Sequence, residues 1–251
     1  MEKKLLKRSL SFAMMIAVVF STIIASSFIK ANAAETEKAV TLTQGENTSQ
    51  HDTVQEAVAA VAADNTQAVI TLNKDFEGAG AVVKKDQNIV FNLNGFTWNI
   101  NSLVGSSGTE TNGVQLLQGS TVTIENGTLT SKTAKLLIQN YCDLTIRNAT
   151  LSGQDNLTEI IVSNNNGSTV ITGNSAVQAA AGGIAFDSDK WGGYQGGNVT
   201  LENGQVIGNV NATNGGKISL NGGTVTGDVI ASNYTYQGNE KTPANIVIDG
   251  A

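Results

Sequence analysis

A short segment that recurs along the second half of the chain constrains the fold more than any other feature of the sequence. Residues 121–129 (TVTIENGTL) reappear as residues 143–151 (DLTIRNATL), and weaker copies start at Asn198, Lys217 and Asn245. Apolar and polar residues alternate within each copy, which is typical of a strand with one buried face. The second inward apolar residue of each copy serves as a marker, and the markers are Leu93, Ile124, Ile146, Ile171, Leu201, Leu220 and Ile248.

The spacing of the copies predicts the architecture. Successive markers are 31, 22, 25, 30, 19 and 28 residues apart, and periods of about 20 to 50 residues indicate solenoids, propellers or arrays. Residues 201–214 match residues 220–233 at a constant offset of 19 residues. That length holds three short strands and three tight turns, whereas a four-stranded propeller blade takes about 40 residues. We therefore expect an all-β solenoid, a single-stranded parallel β-helix in which each strand pairs with its copy above.

Asparagine recurs at one position of the repeat, directly after the marker strand. Asn126, Asn148 and Asn203 occupy this position. Asparagine tolerates the left-handed backbone that a tight corner requires. We therefore expect these three residues to stack as a ladder at one corner of the solenoid.

Residues 52–63 follow a different period. Apolar residues there recur at i, i+3, i+4 and i+7, and Thr53 with Glu56 has the spacing of a capping box. The pattern predicts a short amphipathic α-helix that covers the open strand edge at the N-terminal end of the β-helix. Residues 34–51 are then an N-terminal linker, and residues 52–251 form the β-helix domain.

The last copy of the repeat begins at Asn245 and is followed by no further copy in this sequence. An uncovered strand edge invites pairing with another chain. Either a partner covers this edge, as in end-to-end self-association, or the sequence is a truncated or unusually short β-helix. We favour the second alternative.

The first 33 residues are typical of an export signal. A basic start is followed by the apolar run Leu10–Ile24 and then by Ala31-Asn32-Ala33, which has the small residues that a signal peptidase requires. The apolar run is shorter than the roughly 20 residues that span a bilayer, which disfavours a membrane anchor. We therefore expect a signal peptide at residues 1–33, a secreted or cell-surface protein, and no membrane insertion after cleavage.

The charge of the remaining chain excludes one class of partner. Removing residues 1–33 takes away five of the 15 Lys and Arg residues and one of the 21 Asp and Glu residues, which leaves a net charge of −10. Such a surface repels phosphate backbones, so we expect no nucleic-acid partner. The single cysteine, Cys142, cannot form an internal disulfide and lies far along the sequence from His51, the only histidine. We expect a packed thiol rather than a reactive one.

Three segments and the repeat also resemble a known family. The segments are Thr53–Val61, Ala68–Asp75 and Asn88–Trp98, and Thr-Ile-x-Asn-Gly-Thr copies follow them. They resemble the pectin-lyase-like right-handed parallel β-helix superfamily, and most closely the pectate-lyase-like adhesive or surface proteins of Gram-positive bacteria. The resemblance implies a right-handed β-helix with a short N-terminal capping helix. It implies no single activity, because the superfamily hosts lyases, hydrolases, adhesins and spike proteins on one scaffold.

The sequence predicts no catalytic residues. Polysaccharide lyases on this fold need a basic residue beside a carboxylate, usually with bound Ca²⁺, and glycosidases need two or three acids close together. Glu125 aligns in the repeat with Arg147, Thr172, Glu202, Asn221 and Asp249. Acidic residues at this position therefore do not fall on adjacent copies.

The candidate binding site is the Gly-rich loop at residues 186–197. Its carboxylates can hold Ca²⁺ or sugar hydroxyls, its aromatic rings can stack on a sugar face, and its ammonium can engage an acidic glycan. The alternative is a solvated loop whose aromatic rings pack back on the solenoid. We expect no cofactor other than this Ca²⁺. The candidate residues are Asp187, Asp189, Lys190, Trp191 and Tyr194.

Three functional hypotheses follow from these observations. The favoured one is a non-catalytic exported β-helix protein that adheres to a carbohydrate or to a host or matrix surface. One alternative is a carbohydrate-active enzyme of the polysaccharide-lyase or glycosidase type, which turnover of a glycan would reveal. Another is a structural protein that builds surface assemblies by end-to-end stacking, which sedimentation would reveal.

Overall fold

The computed structural model describes residues 37–153, 158–190, 193–232 and 242–251. Every described strand belongs to one compact unit, residues 38–251. The predicted signal peptide at residues 1–33 lies outside the described residues. The described part is mostly β-strand with one short helix, which confirms the all-β prediction.

The strands are short, and glycines or asparagines with positive φ angles lie in many of the turns between them. The helix α1 spans Val54–Ala60. The described strands, in chain order, are β1 (Val40–Gln44), β2 (Asn47–His51), β3 (Gln67–Leu72), β4 (Phe76–Ala79), β5 (Ala81–Val83), β6 (Asn88–Asn92), β7 (Thr97–Ser102), β8 (Val104–Ser106), β9 (Thr109–Leu116), β10 (Thr121–Ser131), β11 (Leu136–Asn140), β12 (Asp143–Gly153), β13 (Ile160–Asn164), β14 (Gly167–Thr172), β15 (Ala176–Gln178), β16 (Ile184–Ser188), β17 (Gly197–Leu201), β18 (Gln205–Ile207), β19 (Asn209–Thr213), β20 (Lys217–Leu220), β21 (Thr224–Thr226), β22 (Val229–Ser232) and β23 (Asn245–Ile248).

The larger of two sheets, here called the long sheet, has a core order of β2-β1-β3-β6-β10-β12-β14-β17-β20-β23. From β3 onward, neighbouring strands in this order are parallel. Residues that pair in register across neighbouring strands are called a column here. The central apolar column of the long sheet consists of Ile70, Phe91, Ile124, Ile146, Ile171, Leu201, Leu220 and Ile248.

The predicted register is correct from Ile124 to Ile248 and wrong at Leu93. Phe91, two residues earlier, pairs with Ile124. The cause is the length of one turn. Four residues, 93–96, separate the paired positions of β6 and β7, whereas two residues, 126–127, separate the equivalent positions within β10. Alignment on the Asn-Gly pair therefore shifted the first marker.

The second sheet, here called the short sheet, has the order β22-β19-β16-β13-β11-β9-β5. Its strands β9, β11, β13, β16 and β19 pair in parallel with one another. They alternate along the chain with the long-sheet strands β10, β12, β14, β17 and β20. Inward apolar side chains of both sheets form one buried core. The outer face of the short sheet therefore lies on the opposite side from the core.

A β-hairpin occupies most of the segment that was predicted to be a linker. Strands β1 and β2 pair antiparallel, and β1 also pairs antiparallel with β3. Val40 and Leu42 of β1 are buried. Gly45 and Glu46 form a two-residue turn between these strands. Gly45 has a φ of 58°, and a positive φ at this turn position favours glycine. The alternation and the Gly-Glu turn together place residues 40–51 in the long sheet.

The helix α1 is shorter than the predicted span of 52–63. The Thr53 hydroxyl accepts a hydrogen bond from the Glu56 backbone N–H at 3.1 Å, so the expected N-terminal cap is formed. At the other end, the buried Gln87 side chain donates to the carbonyls of Val58 and Val61 at 3.0 and 3.1 Å. These bonds satisfy backbone acceptors that a helix end leaves open. None of the described residues forms a helix long and apolar enough to cross a membrane.

Burial decreases toward the C-terminal strands. Among the described residues, the large hydrophobic side chains that are exposed all lie on β22 and β23. They are Val229, Ile230, Val247 and Ile248.

Candidate functional site

Asp187 lies on a strand rather than in the predicted loop. Strand β16 spans Ile184–Ser188, and its pairing with β19 contains an irregularity between Ile184 and Phe186. Phe186 and Ser188 are buried, whereas Asp187 between them is only partly buried. The alternation of a strand therefore directs the Asp187 carboxylate to the outer face of the short sheet.

Polar side chains from neighbouring strands surround Asp187 on this outer face. The column that contains it runs across β9, β11, β13, β16 and β19. Its members are Gln115, Gln139, Ser163, Asp187 and Asn211.

A second row lies two residues further along the strands and consists of Tyr141, Asn165 and Asp189. Backbone hydrogen bonds from these three residues to the preceding strands continue the pairing beyond the strand ends. We call these two rows, together with Tyr194, the polar face.

Hydrogen bonds order the polar face on the side of Tyr141. The amide nitrogens of Asn112 and Gln115 donate to Gln139 Oε1 at 2.9 and 2.8 Å. Gln139 Nε2 in turn donates to the Tyr141 hydroxyl at 3.1 Å. The hydroxyl oxygen is thus an acceptor toward Gln139, and its own proton is available to another acceptor.

The two carboxylates are held by neighbouring polar groups. The Thr213 hydroxyl donates to Asp187 Oδ1 at 3.3 Å. Asn165 Nδ2 donates to Asp189 Oδ1 at 2.5 Å. Asn165 is itself buried and accepts a long hydrogen bond of 3.4 Å from Ser163 Oγ. Donors from the neighbouring strands therefore fix both acids in place.

Burial disfavours the charged form of both acids. It raises the pKa of Asp187 to about 6, helped by the charge of Asp189 and opposed by the Thr213 hydrogen bond. Burial also raises the pKa of Asp189, and the hydrogen bond from Asn165 partly offsets this rise. Asp187 therefore changes its protonation state in the mildly acidic range.

Lys190 and Tyr194, which follow β16 in the chain, contact residues at the ends of short-sheet strands. The Tyr194 ring packs on the Tyr141 ring, with centroids 4.9 Å apart and planes tilted by 41°. Burial, with the nearby Tyr194 and Asp189, raises the pKa of Tyr141 to about 12. The Lys190 carbonyl accepts a hydrogen bond from Asn214 Nδ2 at 2.8 Å. The Tyr194 ring thus packs on Tyr141, and Trp191 lies outside the described residues.

The asparagines predicted to stack at a corner do not form a continuous ladder. Asn126 and Asn148 occupy equivalent positions between paired residues, with φ angles of 59° and 50°. Gly173, with a φ of 64°, takes the next position, and the left-handed residue after it is Gly204 rather than Asn203. Glycine adopts this backbone more readily, which relaxes the need for asparagine at each copy.

A hydrogen-bonded asparagine pair lies instead inside the core. Asn140 and Asn164 are in register and fully buried. Asn140 Nδ2 donates to Asn164 Oδ1 at 2.7 Å, and the Thr169 hydroxyl donates to the same oxygen at 2.9 Å. The only signal in the sequence is the spacing of 24 residues between two asparagines at equivalent strand ends. This pair links the ends of β11 and β13, two of the strands that carry the polar face.

Metal-binding and thiol chemistry find little support elsewhere. Within the described ranges, no group of three or more His, Cys, Asp or Glu side chains is placed to hold a metal ion. Asp187 and Asp189 remain the carboxylates that could contribute to one. Cys142 is buried, which raises its pKa to about 12 and keeps the thiol protonated.

Comparisons of the chain with known proteins found no match. No protein-family model matches the chain, and no curated protein and no solved structure matches it either.

Proposed function

We propose that this chain is an exported right-handed parallel β-helix protein that binds a glycan on its polar face without cleaving it. The alternation of long-sheet and short-sheet strands, each parallel to its successor, supports the β-helix. Parallel strands joined by crossover connections are almost always right-handed, which supports the handedness. The basic, apolar and small-residue order of residues 1–33 supports export to the cell surface or the medium.

The observation that carries the binding proposal is the ordered set of polar groups on one sheet face. Three groups of hydrogen-bonded side chains lie on this face, and one of them includes the Tyr141 ring of the aromatic pair. Sugars present hydroxyls that such groups can bind and apolar ring faces that aromatic side chains can cover. Because the side chains are held before a ligand arrives, less conformational entropy is lost on binding.

Glycan binding by isosteric variants tests the proposal. We expect the purified protein to bind at least one member of a panel of soluble oligosaccharides, measured by isothermal titration calorimetry. Asp187→Asn and Asp189→Asn should weaken that binding about tenfold, since each removes a charged acceptor from the polar face. Glu202→Gln, which changes an exposed acid beyond the end of β17 in the long sheet, is the matched control. Equal binding by all four proteins would refute the assignment of the site.

The acid pair favours glycoside hydrolysis as a second candidate function. Asp187 and Asp189 lie two residues apart, a spacing that separates Cβ atoms by about 6.6 Å in a regular strand. Inverting glycosidases hold their two carboxyl groups roughly 6.5–9.5 Å apart, with one acid protonated. The raised pKa of Asp187 supplies such a proton donor in mildly acidic solution.

Product analysis separates cleavage from binding. New reducing ends without unsaturated products, lost in Asp187→Asn and kept in Glu202→Gln, would establish hydrolysis rather than elimination. Intact oligosaccharides after prolonged incubation with the protein would eliminate it.

A further inference from the structure

No ion pair of the described residues joins either acid of the polar face to a basic side chain. The ion pairs of the described residues lie elsewhere and join Lys38 to Asp52, Lys135 to Glu159, and Arg147 to Glu125. Lys190 follows Asp189 in the chain, but none of these ion pairs includes it. Partly buried carboxylates without a countercharge are costly. A ligand that brings positive charge to this site is therefore favoured over one that brings negative charge.

The two carboxylates retain unused hydrogen-bond acceptor positions. Thr213 and Asn165 donate one hydrogen bond each to the acids, whereas two carboxylates offer about eight acceptor positions. A ligand that brings hydrogen-bond donors is therefore favoured at this site. An ammonium group supplies three donors and no acceptor.

The aromatic pair adds an independent preference for a cation. The Tyr141 and Tyr194 rings lie beside the acids, and the charge of Asp189 reaches the Tyr141 phenol. Aromatic faces attract ammonium groups that approach within about 6 Å of the ring centre. Carboxylates with unused acceptor positions and aromatic rings thus converge on one region of the short sheet.

From this convergence we infer that the polar face binds the protonated amino group of an amine-bearing glycan, such as a glucosamine oligomer. Uncharged N-acetylated glycans and uronate glycans bind less well, because the first lack the charge and the second are repelled. This inference rests on the proposed glycan binding and adds the chemical class of the sugar.

Three oligosaccharides of equal length test the inference. The probes are a glucosamine hexamer, an N-acetylglucosamine hexamer and an oligogalacturonate, titrated calorimetrically into the purified protein at near-neutral pH. We expect the glucosamine hexamer to bind at least about tenfold more tightly than either other probe. Asp187→Asn and Asp189→Asn should remove most of that preference, and Glu202→Gln should retain it. Circular dichroism of each variant verifies that the fold is intact.

The outcomes separate this inference from the proposed function. Equal affinity for the glucosamine and N-acetylglucosamine hexamers would overturn the amine preference and leave glycan binding standing. A preference for glucosamine that survives in both Asp variants and fades in high salt would also overturn it, because diffuse surface charge would then be the cause. If no oligosaccharide of any class binds, the proposed function itself fails.

Discussion

Asp187 brings a carboxylate into a half-buried position at the centre of the polar face. Burial disfavours its charged form, and the neighbouring Asp189 adds repulsion, so the pKa rises to about 6. In the unfolded chain the same group titrates near its usual value of 3.8. Between these two values the folded protein binds more protons than the unfolded chain, so stability decreases as pH rises through this window.

Substitution of Asp187 by asparagine should therefore stabilise the protein in a pH-dependent manner. Asparagine keeps an oxygen to accept the Thr213 hydrogen bond and removes the buried charge. We expect Asp187→Asn to raise the melting temperature at about pH 8 and to have little effect at about pH 4, where the native acid is already neutral. Thermal unfolding followed by circular dichroism measures both values.

The exposed Asp228 offers a matched control for this experiment. Asp228→Asn should leave the pH dependence of the melting temperature unchanged. An Asp187→Asn variant with the same pH dependence as the native protein would contradict the burial argument.

The passage between the two sheets sets strict limits on side-chain size. The chain leaves the short sheet after Asn164 on β13, and Gly197 begins β17 of the long sheet close to it. A Cβ atom at Gly197 would overlap the carbonyl oxygen of Asn164, which is backbone and cannot move aside easily. The glycine is therefore required for close approach rather than for an unusual backbone angle.

Alanine substitutions at two neighbouring glycines test this packing argument. Gly197→Ala should lower the free energy of unfolding by about 2 to 3 kcal/mol through overpacking. Gly193→Ala should change it by less than about 0.5 kcal/mol, because a Cβ atom there meets no other atom within 4 Å. Urea denaturation measures both. Similar values for the two variants would contradict the packing argument, because Gly197 could then move away from the Asn164 carbonyl at little cost in free energy.

The central strands could be predicted from the sequence because alternation and spacing are local signals. The register from Ile124 to Ile248 follows from them directly. The position of Phe91 depends on the length of one turn, which the repeat does not encode. The β1–β2 hairpin was missed, although the Gly45-Glu46 pair is a hairpin signal.

The candidate site was only half predictable for a different reason. Asp187 and Asp189 stand out as an acid pair in a Gly-rich stretch. Tyr141 and Asn165 join them only because parallel pairing brings together residues 24 positions apart in neighbouring strands. A position-by-position reading of the sequence cannot detect that proximity before the register is known.

At the scale of the whole molecule, burial is unevenly distributed along the stacked strands. Strands β10 and β12 form the longest paired segment, ten residue pairs, and their inward side chains are fully buried. Strands β22 and β23 are largely exposed. When each strand contacts only its neighbours, local stability follows the local interfaces.

Hydrogen exchange should therefore differ along the molecule. We expect backbone amides of β10 and β12 to exchange slowest and those of β22 and β23 to exchange fastest under native conditions. Exchange detected by mass spectrometry of proteolytic fragments resolves these regions. Uniform protection from β3 to β23 would instead indicate a single cooperative unit.

The unequal steps between paired strands have an evolutionary consequence. Adjacent strands of the long sheet pair in register at different sequence spacings. The paired residues Leu201 and Leu220 are 19 positions apart, and the paired residues Phe91 and Ile124 are 33 positions apart. Lineages can therefore lengthen or exchange the intervening segments without disturbing the pairing on either side. Duplication of a gene segment encoding one such step would add a strand to each sheet and extend the surface available for new specificities.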